Sequence, residues 1–204
     1  MKLKHLVMAL VGLIAFGAGI FLAFTAPTPV EPQSQGYVLD QPRVLPAFEL
    51  VDEQGDRFTE EDFKGHWSLL YFGFTYCPDI CPGSLVVMAQ VKQALAGEDG
   101  MDDRYYLVSV DPDRDTPERI REYVTYFDPE FLGLTGEFQQ LDVITQAAGA
   151  VYRVPEMTET EDYLVAHSST LTLIDPQGRI HAIFTSPFNP EAIASDLQRI
   201  QAAW

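Results

Sequence analysis

Cysteine is scarce in this chain, with only Cys77 and Cys81 among its 204 residues. Iron–sulfur clusters usually need four cysteines and structural zinc four ligands, so a cysteine-only site of either kind is excluded. Basic residues are also few, because 13 lysines and arginines face 30 aspartates and glutamates. The net charge of −17 argues against binding to nucleic acid and against electrostatic docking on anionic lipid.

Long apolar runs are absent except at the N-terminus, where 19 uncharged residues extend from Leu6 to Phe24. As a helix this run would span ~28 Å, close to the thickness of a bilayer's hydrocarbon core. It exceeds the apolar region of most cleaved signal peptides, which favours a retained transmembrane helix, residues 1–25. Because Lys2 and Lys4 precede the run, we expect a single pass through the inner (cytoplasmic) membrane with the C-terminal domain facing the periplasm.

Two segments follow the predicted anchor. Residues 26–42 are rich in proline and have little apolar periodicity, so they are predicted to form a stiff, extended tether. Residues 43–204 are long enough for one domain with a full hydrophobic core, and no internal repeat divides them. We therefore expect one globular domain at the end of a tether.

Hydrophobic periodicity and capping residues predict alternating strands and helices in this domain. In chain order the predicted elements are a hairpin over 48–58, a strand at 67–74, a helix from Pro82, a strand at 105–110, helices from Pro117 and over 137–148, a hairpin of 169–174 and 179–186, and a helix from Pro190. This order is typical of an α/β fold, a thioredoxin-like mixed sheet flanked by helices. The cysteines lie at the junction between a buried strand and the helix that follows it.

Three interpretations of the cysteine pair stay open on residue types alone. A structural disulfide would close a very short loop and remove little entropy from the unfolded chain. A redox pair would benefit from the helix expected at Pro82, whose N-terminal dipole should lower the pKa of the neighbouring Cys81 thiol. A metal site would use two soft thiolates, which suit copper(I) or zinc, but it needs a third donor.

The third donor must be a histidine of the globular domain, since no other cysteine exists. His66 lies in a polar turn and is expected to be solvated. His181 lies inside a predicted hairpin strand and is expected to be an ordinary edge residue. His167 comes just before a strand that should lie beside the cysteine loop. Taken alone, a histidine there is more often a core or loop residue than a ligand, and the cysteines change this only if the fold brings the two sites together.

Four segments, in a fixed order, resemble the SCO/SenC family of copper-binding assembly factors for cytochrome c oxidase. They are FGFTYCPDICP (72–82), VSVDPDRDTPE (108–118), GLTG (133–136) and HSSTLTLIDPQGRI (167–180). The resemblance extends from about Pro46 to the C-terminus. It implies a thioredoxin-like fold and a copper site with Cys77, Cys81 and His167 as ligands, for copper(I) and also for copper(II).

The resemblance also implies partners. They are cytochrome c oxidase subunit II, whose dinuclear copper site would receive copper or have its cysteines reduced, and another periplasmic copper chaperone. The alternative function is a periplasmic thiol–disulfide oxidoreductase that uses Cys77 and Cys81 as a redox pair. Copper insertion does not require catalytic turnover, whereas both roles share the same two sulfurs, so enzymatic activity stays undecided at this point.

Two features of the stretch around His167 affect these expectations. Family members commonly carry an acidic residue just before the histidine, whereas this chain has Ala166, and Asp79 or Asp111 would have to compensate. Thioredoxins place a cis-proline before the strand that faces their cysteines, whereas residues 165–169 contain no proline. A histidine at that place favours a metal site over disulfide exchange.

Overall fold

The computed structural model describes residues 4, 5, 7, 8, 12, 16, 34–96, 103–155 and 163–204. The chain divides into two units, Met1–Pro32 and Gln33–Trp204. The described residues of the first unit are all helical. No helix among the described residues is long and apolar enough to cross a membrane, and most of the predicted anchor, residues 1–25, lies outside them.

The second unit is built on a mixed sheet of eight strands in the order β1-β10-β9-β4-β5-β6-β2-β3, with a separate pair, β7 and β8. The strands are β1 Gly36–Val44, β2 Glu49–Asp52, β3 Arg57–Thr59, β4 Trp67–Gly73, β5 Asp103–Ser109, β6 Leu132–Thr135, β7 Tyr152–Arg153, β8 Ala166–His167, β9 Thr170–Ile174 and β10 Arg179–Thr185. β4 pairs in parallel with β5 and antiparallel with β9. The predicted thioredoxin-like mixed sheet is thereby confirmed.

Among the described residues, four α-helices pack around this sheet: α1 Ile80–Leu95, α2 Pro117–Phe127, α3 Phe138–Ala148 and α4 Pro190–Ala202. A short 3₁₀ helix, Glu60–Phe63, follows β3. α1 packs against α4, α2 against β6, and α3 against β2. The predicted caps are present, since the Thr116 hydroxyl accepts the Arg119 N–H and the Asn189 side chain accepts the Ala192 N–H at 2.9 Å.

The centre of the core is β4. All seven of its residues are buried, as expected for a strand covered on both faces. Leu70, Tyr71 and Phe72 are among those at most 1% exposed. Leu85, Met88, Val91 and Leu95 of α1 are buried at the predicted helical spacing. β4 and α1 are therefore fixed by packing, and the loop between them carries Cys77.

Part of the predicted tether belongs to the sheet. Residues 36–42 lie in β1, which pairs antiparallel with β10. β10 is consequently an interior strand, so the interpretation of His181 as an edge residue is wrong. β1 escaped the sequence analysis because its partner lies near the other end of the chain, and local periodicity carries no information about such pairing.

The first helix begins earlier than predicted. α1 starts at Ile80, so Pro82 is its third residue rather than its first, and Cys81 lies inside the first turn. Proline is tolerated there because the N–H groups of a first turn have no acceptor within the helix. α1 ends at Leu95, and the predicted stop signal, Gly97, lies outside the described residues.

Candidate metal centre

The structure brings the predicted third donor to the cysteine pair. Cys77 lies on the loop after β4, Cys81 in the first turn of α1, and His167 in β8. One donor atom from each residue lies within 4.8 Å of the other two. The Cys81 Sγ and the His167 Nε2 are 3.3 Å apart. The convergence that the sequence required is therefore present.

Strand pairing explains why a residue so far along the chain reaches the cysteines. β9 runs antiparallel to β4 with Tyr71 opposite Leu171, so the start of β9 meets the end of β4. His167 comes three residues before β9, and β8 pairs it with Tyr152 of β7. The sheet thus delivers the imidazole to the strand end at which the cysteine loop begins.

The site is closely packed on its inner side. The His167 ring meets the rings of Tyr71 and Phe74 edge to face, with centroids 6.0 and 5.7 Å away. A Cβ atom at Gly73 would lie 2.9 Å from the Cys81 Sγ and 2.8 Å from the Tyr71 ring, so only glycine leaves this space to the sulfur. Sequence analysis missed these three lining residues. The period of two in a strand, which places Tyr71 and Gly73 on one face, is a signal that could have revealed two of them.

A backbone carbonyl orients the imidazole. The Nδ1–H of His167 donates to the Ser168 carbonyl at 3.1 Å, which leaves the lone pair of Nε2 facing the sulfurs. Burial lowers the pKa of His167, although backbone hydrogen bonds oppose this in part. The ring is therefore neutral at pH 7, the form in which imidazole binds a metal.

Neither acidic residue suggested for the place of Ala166 orients the ring. The Asp111 carboxylate binds the Arg114 guanidinium and accepts the Tyr163 hydroxyl at 2.7 Å. Asp79 is exposed and caps α1 without a side-chain hydrogen bond. The Ser168 carbonyl supplies the orientation instead.

Burial reverses the predicted electrostatics of Cys81. The helix dipole was expected to lower the pKa of this thiol, but its side chain is 0% exposed and burial raises the pKa. The expectation failed because it placed Cys81 at an open helix mouth rather than inside a packed first turn. The Cys81 N–H points at the Cys77 Sγ, 3.3 Å away, so the two sulfurs share one environment.

The other two histidines lie outside the centre. His66 is only 5% exposed, so its prediction as a solvated residue is wrong. The N–H of the neighbouring Gly65 donates to the Pro176 carbonyl at 3.0 Å, which fixes the turn that contains His66. His181 lies 3.5 Å from the Asp175 carboxylate. Over the part of the chain that the structure describes, Cys77, Cys81 and His167 form the only group of three such donors.

Comparison with known proteins agrees with this geometry. The model of the family described as SCO1/SenC matches residues 38–202. A Stutzerimonas stutzeri protein whose name proposes copper binding is 38% identical over 169 residues, which cover 82% of each chain.

Two solved structures are similar in fold and sequence. The crystal structure of Arabidopsis thaliana ScoI with copper bound aligns with a TM-score of 0.73 and 31% identity, over 79% of this chain and 99% of that chain. A structure of BsSco aligns with a TM-score of 0.61 and 25% identity, over 79% of this chain and 95% of that chain. BsSco is described as a member of the Sco family of cytochrome c oxidase assembly proteins in which a disulfide switch was identified.

Proposed function

Because this chain belongs to the SCO1/SenC family, we propose that it carries copper on Cys77, Cys81 and His167 and acts as a chaperone in cytochrome c oxidase assembly. The single observation that supports this most directly is the approach of three donor atoms to within 4.8 Å of one another. The two similar structures point the same way, since Arabidopsis thaliana ScoI was solved with copper bound and BsSco belongs to a family of cytochrome c oxidase assembly proteins.

The donor set fits copper(I) as cargo. Two thiolates are soft ligands and imidazole suits copper, so the set matches the preferences of copper(I). Structural zinc takes four protein ligands, whereas three converge here. Two thiolates, one neutral imidazole and a monovalent ion give a net charge of −1, which limits the electrostatic cost of holding the ion in a buried site.

The three ligands differ in how they would release the ion. Cys81 is held in a helix and fully buried, whereas Cys77 lies on a loop and keeps 8% of its surface exposed. An incoming thiolate therefore reaches the ion past Cys77, and three-coordinate copper has room for it. Copper passes to the acceptor by exchange of one ligand at a time, without release of the free ion.

We extend the proposal to the partner and the location. The acceptor is the dinuclear copper site of cytochrome c oxidase subunit II, and another periplasmic copper chaperone supplies the ion. The N-terminal residues 1–25 anchor the protein in the inner membrane, and the domain faces the periplasm. The uncharged run from Leu6 to Phe24 after two lysines supports this placement.

A second candidate function, thiol–disulfide exchange, uses the same two sulfurs. Its support is that both cysteines are free thiols and that the Cys81 N–H lies 3.3 Å from the Cys77 sulfur. The raised pKa of the Cys81 thiol weakens it, because exchange needs a thiolate. Assays of insulin reduction, together with the reduction potential of the pair, discriminate between the two functions.

The decisive experiment loads the full-length protein with copper(I) under reducing conditions and records X-ray absorption spectra. The parent should show two sulfurs and one nitrogen around the ion. The double variant Cys77→Ser, Cys81→Ser should lose more than about 100-fold in copper affinity. That exceeds the loss expected when only a residue hydrogen-bonded to a ligand is replaced. Undiminished binding by the double variant would reject the copper site.

A further inference from the structure

Unlike the other two proposed ligands, Cys77 belongs to no helix or strand. Cys81 is part of α1, and His167 is part of β8. Cys77 lies on the loop between β4 and α1, where its own N–H makes only a long 3.3 Å bond to the Phe74 carbonyl. Something else must fix the position of this loop if all three donors are to meet one ion.

A buried carboxylate from another part of the chain holds the loop two residues before Cys77. Asp115 accepts the Thr75 N–H at 2.9 Å on one oxygen and the Thr75 hydroxyl at 2.6 Å on the other. The Ser109 hydroxyl also donates to Asp115, at 2.6 Å. These three bonds connect the cysteine loop to the end of β5 and to the segment before α2.

The Thr75 hydroxyl both donates and accepts a hydrogen bond. It donates to Asp115 and accepts the Nε–H of Arg119 at 2.7 Å, so the loop is also tied to the first turn of α2. Asp115 is only 1% exposed, and its three partners are all neutral donors. A buried carboxylate without such donors is costly, so this side chain strongly favours the one loop conformation that supplies them.

We propose that Asp115 is a positioning residue for the copper ligand Cys77, acting through Thr75. The inference rests on the proposed copper-binding function and deepens it. Asp115 touches neither the ion nor any of its ligands. It holds the loop so that the Cys77 sulfur is in place before copper arrives, and binding then does not have to order the loop.

The variant Asp115→Asn tests the inference with little change in volume. An amide has one acceptor oxygen, so it cannot accept from the Thr75 N–H and the Thr75 hydroxyl through separate oxygens. We expect copper(I) affinity to fall about tenfold, the effect of one lost hydrogen bond to a charged group. X-ray absorption should show fewer than two sulfurs at the ion, a result that general destabilisation does not produce.

Asp196→Asn is the matched control. Asp196 is also a buried carboxylate, 3% exposed, and it accepts the backbone N–H groups of Gln35 and Gly36 at 2.8 Å each. It lies in α4 and contacts none of the proposed ligands. Asp196→Asn should lose thermal stability, but its copper affinity should stay within about twofold of the parent.

A double-mutant cycle separates positioning of Cys77 from every other effect. In a Cys77→Ser background, Asp115→Asn should cause no further loss of copper affinity, because the residue to be positioned is gone. Additive losses would overturn the inference. Should Asp115→Asn fail to fold, Thr75→Val takes its place, with Thr75→Ser expected to restore the affinity.

The outcomes also distinguish this inference from the function on which it rests. If the parent and Asp196→Asn both fail to bind copper, the proposed function is wrong and the positioning role falls with it. If both bind copper with two sulfurs and Asp115→Asn does the same with equal affinity, the positioning role alone is wrong.

Discussion

The two ends of the central strand β4 each hold a histidine among aromatic rings, but only one end has the donors for a metal. At the metal centre, the His167 ring meets Tyr71 and Phe74. The other end, which we call the tryptophan end, consists of Trp67, His181 and Trp204. There the His181 ring meets the two indoles edge to face, with centroids 5.4 and 5.7 Å away.

The partner of each imidazole makes the difference. His167 Nε2 faces the Cys81 sulfur at 3.3 Å, next to a second thiol. His181 Nδ1 faces the Asp175 carboxylate at 3.5 Å, and that carboxylate already binds the Arg179 guanidinium at 2.8 Å. A histidine packed by aromatic rings is therefore a common structural feature, and the soft donors beside it turn one example into a candidate copper site.

The largest expected effect belongs to the tryptophan end. Trp67 is 7% exposed and contacts both His181 and Trp204, so Trp67→Ala should lower the free energy of unfolding by about 3 kcal/mol. Copper(I) affinity of the folded protein should not change, because the metal centre lies at the other end of β4. Urea unfolding and chelator competition measure the two quantities. A parallel loss of copper affinity would show that the two ends are coupled.

Exchanging the histidines one at a time gives the next largest effect. His167→Ala should lower copper(I) affinity about 10- to 100-fold without abolishing uptake, since the two thiolates remain. His181→Ala, the matched control, should leave the affinity unchanged. Competition with a copper(I) chelator measures both variants. Equal affinities for His167→Ala and the parent would show that the third ligand is misassigned.

A change of one pH unit should have the smallest effect on copper binding. Burial raises the pKa of the Cys81 thiol, so copper binding must displace its proton near neutral pH. Affinity should therefore rise with pH, by about tenfold per unit for each proton released. Burial lowers the pKa of His167, so its ring adds to this dependence only in acid, below its usual range near 6.5.

The pH dependence has its own control. Cys81→Ser should flatten the rise in affinity, because the serine hydroxyl has no proton to lose in this range. Titrations between about pH 6 and 8.5 test this, a range that spans the usual pKa values of imidazole and thiol groups. A copper affinity that does not vary with pH in the parent would contradict the assignment of Cys81 as a thiolate ligand.

Local sequence signals predicted the elements that depend on neighbouring residues. The apolar run of β4, the helical spacing of Leu85 and Met88 in α1, and the caps at Thr116 and Asn189 all appear in the structure. Each of these signals acts over a few residues, which is why periodicity and capping chemistry reveal them. The choice of His167 as the third ligand came instead from the resemblance to the SCO/SenC family.

Sequence analysis did not predict the contacts between residues far apart in the chain. β1 pairs with β10, which lies near the other end of the domain's sequence. The hydrogen bonds from Thr75 to Asp115 join two separate loops. No local pattern encodes such pairings. His66 is a further example. The polar composition of its turn predicted an exposed ring, but packing buries it.

The sequence by itself determined which atoms are available for chemistry: two thiols, the imidazoles of four histidines and no further cysteine. Only the tertiary structure decided how these atoms behave. It buries Cys81 in the first turn of α1 and raises its pKa, and it turns His167 by the Ser168 carbonyl. The physical reason is that residue identity fixes the donor type, whereas solvation and orientation depend on neighbours supplied by distant parts of the chain.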